Sequence, residues 1–508
     1  LSVARIQSFA FAGIDAQPVE VQVQISSGLP VFLMVGLADK AVGEARERVR
    51  AALTAMGLAL PPKRVLVNLA PADMVKEGSH FDLPVALAVL AAMDVLPAEE
   101  ISRYAALGEL SLDGRINPVS GILPAAIAAQ IRGLGLVCPE SQGPEAGWAG
   151  DIDVLAAPDL LSLINHFRGT QVLSPPPEGM LGGGYKTLDL ADVRGMESAR
   201  RVLEIAAAGS HNLLLIGPPG GGKSMLAARL PGLLPDLLPR EALELSMVHS
   251  VAGLLENGRL VTRPPFREPH HSASMAAITG GGNRAKPGEV SLAHRGVLFM
   301  DEFPEFPRAT LEALRQPLES GQTTVSRAAA HITYPARFQL VAAMNPCRCG
   351  YLGDAARECG RAPRCGEDYQ SKISGPLLDR IDLIIEITPL PPTELSRAPA
   401  GEATAAVAAR VAAARNIQRE RYGDHAANNA EAQSSQIDLT AEARDFAEKA
   451  STRLRLSPRG FTRILRVSRT IADLAGVEAV QRSHVAEALS YRHRTPGRSL
   501  ANTGASQV

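Results

Sequence analysis

Gly217-Pro218-Pro219-Gly220-Gly221-Gly222-Lys223-Ser224 fits the pattern G-x-x-x-x-G-K-[ST]. Glycines at these places let the main chain curl until several N–H groups point at one anion. The positive end of a following helix adds to the attraction. The flanks agree with that use. Leu213-Leu214-Leu215-Ile216 is a short apolar run of the kind buried in a parallel sheet, and Ser224 to Leu230 reads as a helix. In such a loop Lys223 reaches the β- and γ-phosphates of ATP and Ser224 holds Mg²⁺. A turn that binds nothing has no need of strand, loop and helix in this order. Residues Gly217 to Ser224 are therefore assigned to the nucleotide.

A second run, Gly296-Val297-Leu298-Phe299-Met300-Asp301-Glu302, is an apolar strand that ends in two acids. Parallel strands present their C-terminal ends at the ligand-binding edge of a sheet. Asp301 there can hold Mg²⁺, and Glu302 can polarise the water that attacks the γ-phosphate. A third apolar strand, Gln339 to Met344, ends at Asn345, whose amide can orient that water. Alone, either run would pass for an ordinary strand end, since Asn is common in turns. Beside the phosphate loop, Glu302 and Asn345 become catalytic candidates.

The whole chain of 508 residues has a formal charge of −1 and 46% apolar residues. That is enough for several packed cores, and it excludes a protein held to nucleic acid by overall charge. Aromatic residues make up only 4%, which argues against a large base-stacking platform. The longest apolar run, Leu83 to Met93, is closed by Asp82 and Asp94 and is too short to cross a bilayer. With no secretory pattern apparent, a soluble cytoplasmic protein without a membrane partner is expected. Four of the five cysteines, Cys347, Cys349, Cys359 and Cys365, fall close together among glycines. In a cytosolic chain clustered thiols suggest metal more than disulfides, so a closed, structural Zn²⁺ site of four thiolates is expected. Free thiols on a loop are the alternative.

Composition divides the chain. Residues 1–170 alternate strands, such as Val19 to Ile25 with its period of two, and helices, such as Ala41 to Met56, Pro84 to Ala92 and Pro124 to Arg132. Residues 171–186 form a linker punctuated by Pro175-Pro176-Pro177 and Gly182-Gly183-Gly184. Residues 187–395 carry the phosphate chemistry, with a cysteine-rich insertion at 346–368. Residues 396–508 read as helical and locally basic, with 17 Lys and Arg against 11 Asp and Glu. There Arg459, Arg463, Arg466 and Arg469 recur at helical spacing. That stripe is either a solvated face or one that meets a polyanion or a neighbouring subunit.

Together these motifs resemble the ComM/YifB family of bacterial magnesium-chelatase-like AAA+ ATPases, over nearly the whole length. Arg267-Glu268-Pro269-His270-His271-Ser272, Gly280 to Gly282 and Pro287 to Val290 look like the insertion typical of that family. Gln322 to Phe338 looks like the β-hairpin that precedes sensor 1. Arg380 in Leu377-Leu378-Asp379-Arg380 matches the arginine finger, and Arg459 in Ser457-Pro458-Arg459-Gly460 matches sensor 2. Ala403 to Arg421 is the candidate for the extra helix that repositions sensor 2. The fold implied is α/β: a P-loop AAA+ core with a parallel sheet, preceded by a Lon-protease-like α+β domain (ribosomal S5 domain 2-like) and followed by an α-helical lid. In the first domain Gly108 to Arg115, Pro118 and Gly121 match a Lon pattern. Asp82 stands where Lon has its nucleophilic Ser, and Leu123 where it has Lys, so proteolysis is not expected.

The resemblance implies a homo-oligomer, a hexameric ring that uses ATP and Mg²⁺ to move on single-stranded or branched DNA. Branch migration during recombination or natural transformation would be its task, with recombination proteins as further partners. Loops that project into a ring channel grip phosphates through charge. Arg284 and Lys286 in the insertion, and Arg327 and His331 near the hairpin tip, are the candidate DNA contacts. The competing readings are a chelatase-type ATPase subunit that inserts a metal into a cofactor, and a nucleotide-gated scaffold that does not cycle.

Overall fold

The computed structural model describes residues 3–37, 39–182, 187–282, 285–326, 331–352, 357, 359–388, 391–423 and 428–492. The chain opens with β1 (Ala4–Ala12) and β2 (Asp15–Ser26), an antiparallel pair that turns at Gly13. Gly13 has a φ of +76°, and a Cβ there would overlap the Thr333 carbonyl oxygen, so glycine is required on both counts. Along β2 every second residue from Val19 to Val23 is buried, as its alternation requires.

Then follow β3 (Val31–Val35), β4 (Arg64–Ala70), β5 (Tyr104–Ala106), the small hairpin β6 (Glu109–Leu110) with β7 (Ile116–Asn117), β8 (Gly135–Pro139) and β9 (Val154–Ala157). Five of these join β1 and β2 in one mixed sheet in the order β3-β4-β2-β1-β5-β8-β9. The helix Asp82–Ala92 is buried along nearly its whole length, so it can be apolar all round. It starts two residues before the expected Pro84, because a 3₁₀ turn at Ser79–Phe81 feeds directly into it.

The second sheet holds the phosphate loop. It contains β10 (Leu213–Ile216), β11 (Phe266–Arg267), β12 (Val297–Met300), β15 (Gln339–Met344) and β16 (Leu383–Glu386) in the order β11-β12-β15-β10-β16. Every neighbouring pair in it is parallel. Both faces of the sheet are covered, so these strands read as unbroken apolar runs. Between β12 and β15 stands a separate hairpin of β13 (Gln322–Ser326) and β14 (His331–Pro335). The helix after the phosphate loop is shorter than expected, Lys223–Ala227, and passes into a 3₁₀ turn at Leu230–Leu233. Pro231 explains the break, since it has no N–H for an α-helical bond.

The C-terminal part is helical: Thr404–Tyr422, Ala441–Arg453, Pro458–Leu474 and Arg482–Ser490. One apolar cluster runs without interruption from Leu213, Leu215 and Phe299 of the sheet to Val411, Leu465, Ile471 and Val485 of these helices. The arginine stripe does not form one outward face. Arg469 is fully buried against Asp473 and the carbonyls of Val477 and Glu478. Arg463 pairs with Asp382 at 3.3 Å, and Arg466 donates to the Ala432 carbonyl at 2.7 Å. Only Arg459 of the four points outward. The helix is buried on most sides from Ile464 to Asp473, so its 3.6-residue period carries Arg469 into the interior and Arg463 and Arg466 to its margin. No helix among the described residues is long and apolar enough to cross a membrane.

Candidate nucleotide site

The parallel register sets the C-terminal ends of β10, β12 and β15 side by side: Ile216 lies beside Met344, and Met300 beside Ala342. The next residues of each strand therefore converge. They enclose a cavity of about 370 Å³ lined by Pro219 to Met225, Asp301, Glu302, Met344 and Asn345. Gly220 and Gly222 sit at φ of +74° and +84°, a conformation in which a side chain would be strained.

Lys223 lies at the centre. Its ammonium donates to the carbonyls of Gly217 (2.8 Å) and Pro218 (2.9 Å) and to Asn345 Oδ1 (3.0 Å). Burial lowers its pKa, and the nearby charges of Asp301 and Glu302 oppose that. Ser224 Oγ donates to Asp301 Oδ2 at 2.6 Å, so two hard oxygen ligands face one point, as Mg²⁺ requires. Asp301 Oδ1 accepts the Glu302 N–H at 2.8 Å, and Glu302 has a φ of +51°.

His271 was not singled out from the sequence as a site residue, yet its Nδ1 lies 3.1 Å from Glu302 Oε2. Its ring meets that of Phe306 edge-on. The signal was topological: β11 is a parallel neighbour of β12, so the loop after Arg267 must emerge at the same edge as Asp301.

Arg380 and Arg459 are elsewhere. Arg380 precedes β16 and stands at the opposite edge of the sheet, a strand length or about 13 Å away. Its guanidinium donates to Glu319 and to the Pro376 carbonyl. Arg459 reaches the same Glu319 at 3.5 Å. The two arginines thus form one cluster that does not address the phosphate loop of its own chain.

Lys286 and His331 are both exposed. The insertion and the hairpin that carry them are joined: Tyr334 donates to the Ala285 carbonyl (2.9 Å), Thr323 donates to that of Thr279 (3.0 Å), and Ala285, Val325 and Tyr334 pack together. Arg284 and Arg327 lie outside the described residues.

The sulfurs of Cys347, Cys349 and Cys365 all lie within 4.8 Å of one another. The Cys359 thiol lies beside those of Cys349 and Cys365. Contact with Cys347 draws the pKa of Cys349 down to about 7. Three sulfurs at this spacing, with the Cys359 thiol beside them, fit the donor set of Zn²⁺.

In the first domain Asp82 is fully buried and takes two hydrogen bonds from Arg48, while Leu123 is a core residue whose N–H donates to Glu145 and Ser250.

Three family models cover the chain. Magnesium chelatase subunit ChlI matches residues 189–395, a further subunit ChlI model matches 21–142, and the ChlI C-terminal model matches 401–492. The competence protein ComM of Haemophilus influenzae is 46% identical over 97% of this chain and 98% of its own. YifB of Escherichia coli is 44% identical over 97% of each. The magnesium-chelatase 38 kDa subunit of Cereibacter sphaeroides is 27% identical over 32% of this chain and 53% of its own. The parallel sheet with its phosphate loop is accordingly a P-loop AAA+ core, and the chain belongs to the ComM/YifB family of magnesium-chelatase-like AAA+ proteins.

Proposed function

We propose that the chain is a ring-forming ATPase that couples hydrolysis of ATP to movement on single-stranded or branched DNA, in recombination or natural transformation. The observation that carries this reading is the joined projection of insertion and hairpin, which holds Lys286 and His331 on one support. Such a projection lets a change at Glu302, at the head of the insertion through His271, reach a surface that grips phosphates. The name of the Haemophilus relative, a competence protein, supports the choice of pathway.

In this mechanism Mg²⁺, when bound, neutralises charge that develops on the β- and γ-phosphates. Ser224 and Asp301 hold it. Lys223 turns from the loop carbonyls to the phosphates. Glu302 accepts a proton from the attacking water, and Asn345 orients that water. Arg380 and Arg459, directed away from their own loop, stabilise the γ-phosphate of a neighbouring subunit. Four thiolates from Cys347, Cys349, Cys359 and Cys365 hold a structural Zn²⁺.

The test is phosphate release and strand displacement on forked DNA. Glu302→Gln should retain ATP and lower turnover at least about a hundred-fold. In the unchanged chain DNA should raise turnover, and binding should weaken steeply with salt. Turnover indifferent to DNA, with no displaced strand, would exclude the motor. A scaffold that does not cycle would keep its function in Glu302→Gln. The chelatase relative favours a second reading, an ATPase subunit for metal insertion. It requires that the purified chain support insertion together with partner subunits.

A further inference from the structure

We infer that the cysteine cluster is a zinc staple that holds the nucleotide site in shape, so that zinc and nucleotide bind cooperatively. The inference rests on the zinc reading above and extends it from a local fold to control of the ATP site.

The cluster is wedged among the elements that surround the phosphates. Cys347 is fully buried and follows Asn345 by two residues. Between Cys347 and Gly350 the chain makes a tight turn, closed by a Gly350 N–H to Cys347 carbonyl bond of 3.0 Å. A second turn of this kind runs from Cys359 to Ala362, also closed at 3.0 Å. Gly350 seats directly on the phosphate loop: a Cβ there would overlap Cδ of Pro219, and its φ is +85°.

The other half of the cluster reaches the acidic strand end. Cys365 lies in the first turn of the short helix Arg364–Gln370. From it, Gln370 donates to the Pro346 carbonyl at 2.8 Å, and Tyr369 lies near the Glu305 carboxylate. Lys372, just beyond, is 3.3 Å from the same carboxylate. Glu305 belongs to the 3₁₀ turn that immediately follows Glu302.

One ion bound to Cys347 and Cys349 on one side and Cys359 and Cys365 on the other therefore ties three things together. These are the Asn345 strand end, the Pro219 turn of the phosphate loop and the segment after Glu302. Zinc–thiolate bonds across the two halves hold them together, and loss of the ion removes that restraint. Linkage then makes the effect mutual: if zinc tightens nucleotide binding, nucleotide must tighten zinc by the same factor.

The experiment uses the full chain purified from zinc-supplemented medium. Bound metal is measured, together with the affinity for a fluorescent, non-hydrolysable ATP analogue with Mg²⁺. About one zinc per chain is expected. Its removal by a chelator should weaken analogue binding about ten-fold, and zinc but not further Mg²⁺ should restore it. Saturating analogue should slow zinc release to the chelator. Cys349→Ser and Cys365→Ser should lose both zinc and affinity, while Cys138→Ala, in the first domain, should keep both.

Should the serine variants fail to fold, zinc release from the unchanged chain with and without analogue decides alone. Absence of zinc overturns the metal site. Bound zinc whose removal leaves analogue affinity unchanged, and whose release ignores the analogue, overturns the staple while the metal site stands. A zinc-loaded chain with no affinity for the analogue overturns the ATPase reading instead.

Discussion

Asp82 carries a carboxylate with no access to water, and Arg48 is what makes that tolerable. The guanidinium meets it at 2.5 and 2.9 Å, and the Leu110 N–H adds a third bond at 3.2 Å. Burial nonetheless raises the Asp82 pKa, because desolvation outweighs the attraction of Arg48. Removing one partner of such a pair leaves an uncompensated charge in the interior. Arg48→Ala should therefore cost about 3 kcal/mol of stability, read from the denaturant midpoint. Arg46, whose pair with Glu47 is exposed, provides the contrast: Arg46→Ala should cost less than about 1 kcal/mol. Equal losses would show that the first domain does not depend on the buried pair. Asp82 is thus a structural charge, held in the interior of the first domain by Arg48.

The helix Pro458–Leu474 docks onto the sheet through Asp382, the residue just before β16. Asp382 accepts the Asn212 N–H at 3.0 Å and lies 3.3 Å from Arg463 and 3.7 Å from His211. Burial pushes its pKa up, but the contacts with His211 and Arg463 and the N–H bond outweigh burial, and the net direction is down. A carboxyl with a lower pKa folded than unfolded stabilises the fold above its ordinary value. That contribution is lost as pH falls through the folded value. Hydrogen-exchange protection of residues 458–474 should accordingly fall on acidification below about pH 4, and Asp382→Asn should flatten that dependence. Protection that fades equally in the variant would place the acid sensitivity elsewhere. The same contact explains why Arg463 faces inward: it is spent on the joint between lid and sheet.

Across the assembled chain, the first domain meets the AAA+ core through polar contacts. Ser250 donates to Glu145 at 2.6 Å, Trp148 to the Gly258 carbonyl at 2.8 Å, and the Gly121 N–H to the Ser250 carbonyl at 3.0 Å. The lid and the core, by contrast, share one apolar cluster. Arg459 stands at the start of the helix Pro458–Leu474 and pairs with Glu319, away from its own phosphate loop. Two inactive variants should then rescue each other. Lys223→Ala has no working site but a working Arg459, and Arg459→Ala has the reverse. Each alone should hydrolyse ATP poorly, and a mixture should regain turnover in a phosphate-release assay. A mixture no better than its parts would mean that Arg459 acts within its own chain or not at all.

The nucleotide loop, the acidic strand end and Asn345 were legible because each is a local pattern: an apolar strand followed at once by the chemistry it presents. Parallel pairing then brings such strand ends together whatever else the chain does. His271, Glu319 and the inward turn of Arg463 to Arg469 had no such local mark. They are distant in sequence from their partners, and their roles arise from which strand neighbours which and how the lid helix is rotated on the core. Residue type and spacing fixed what chemistry was at hand. Long-range packing settled which charges would face solvent and which would be paired inside.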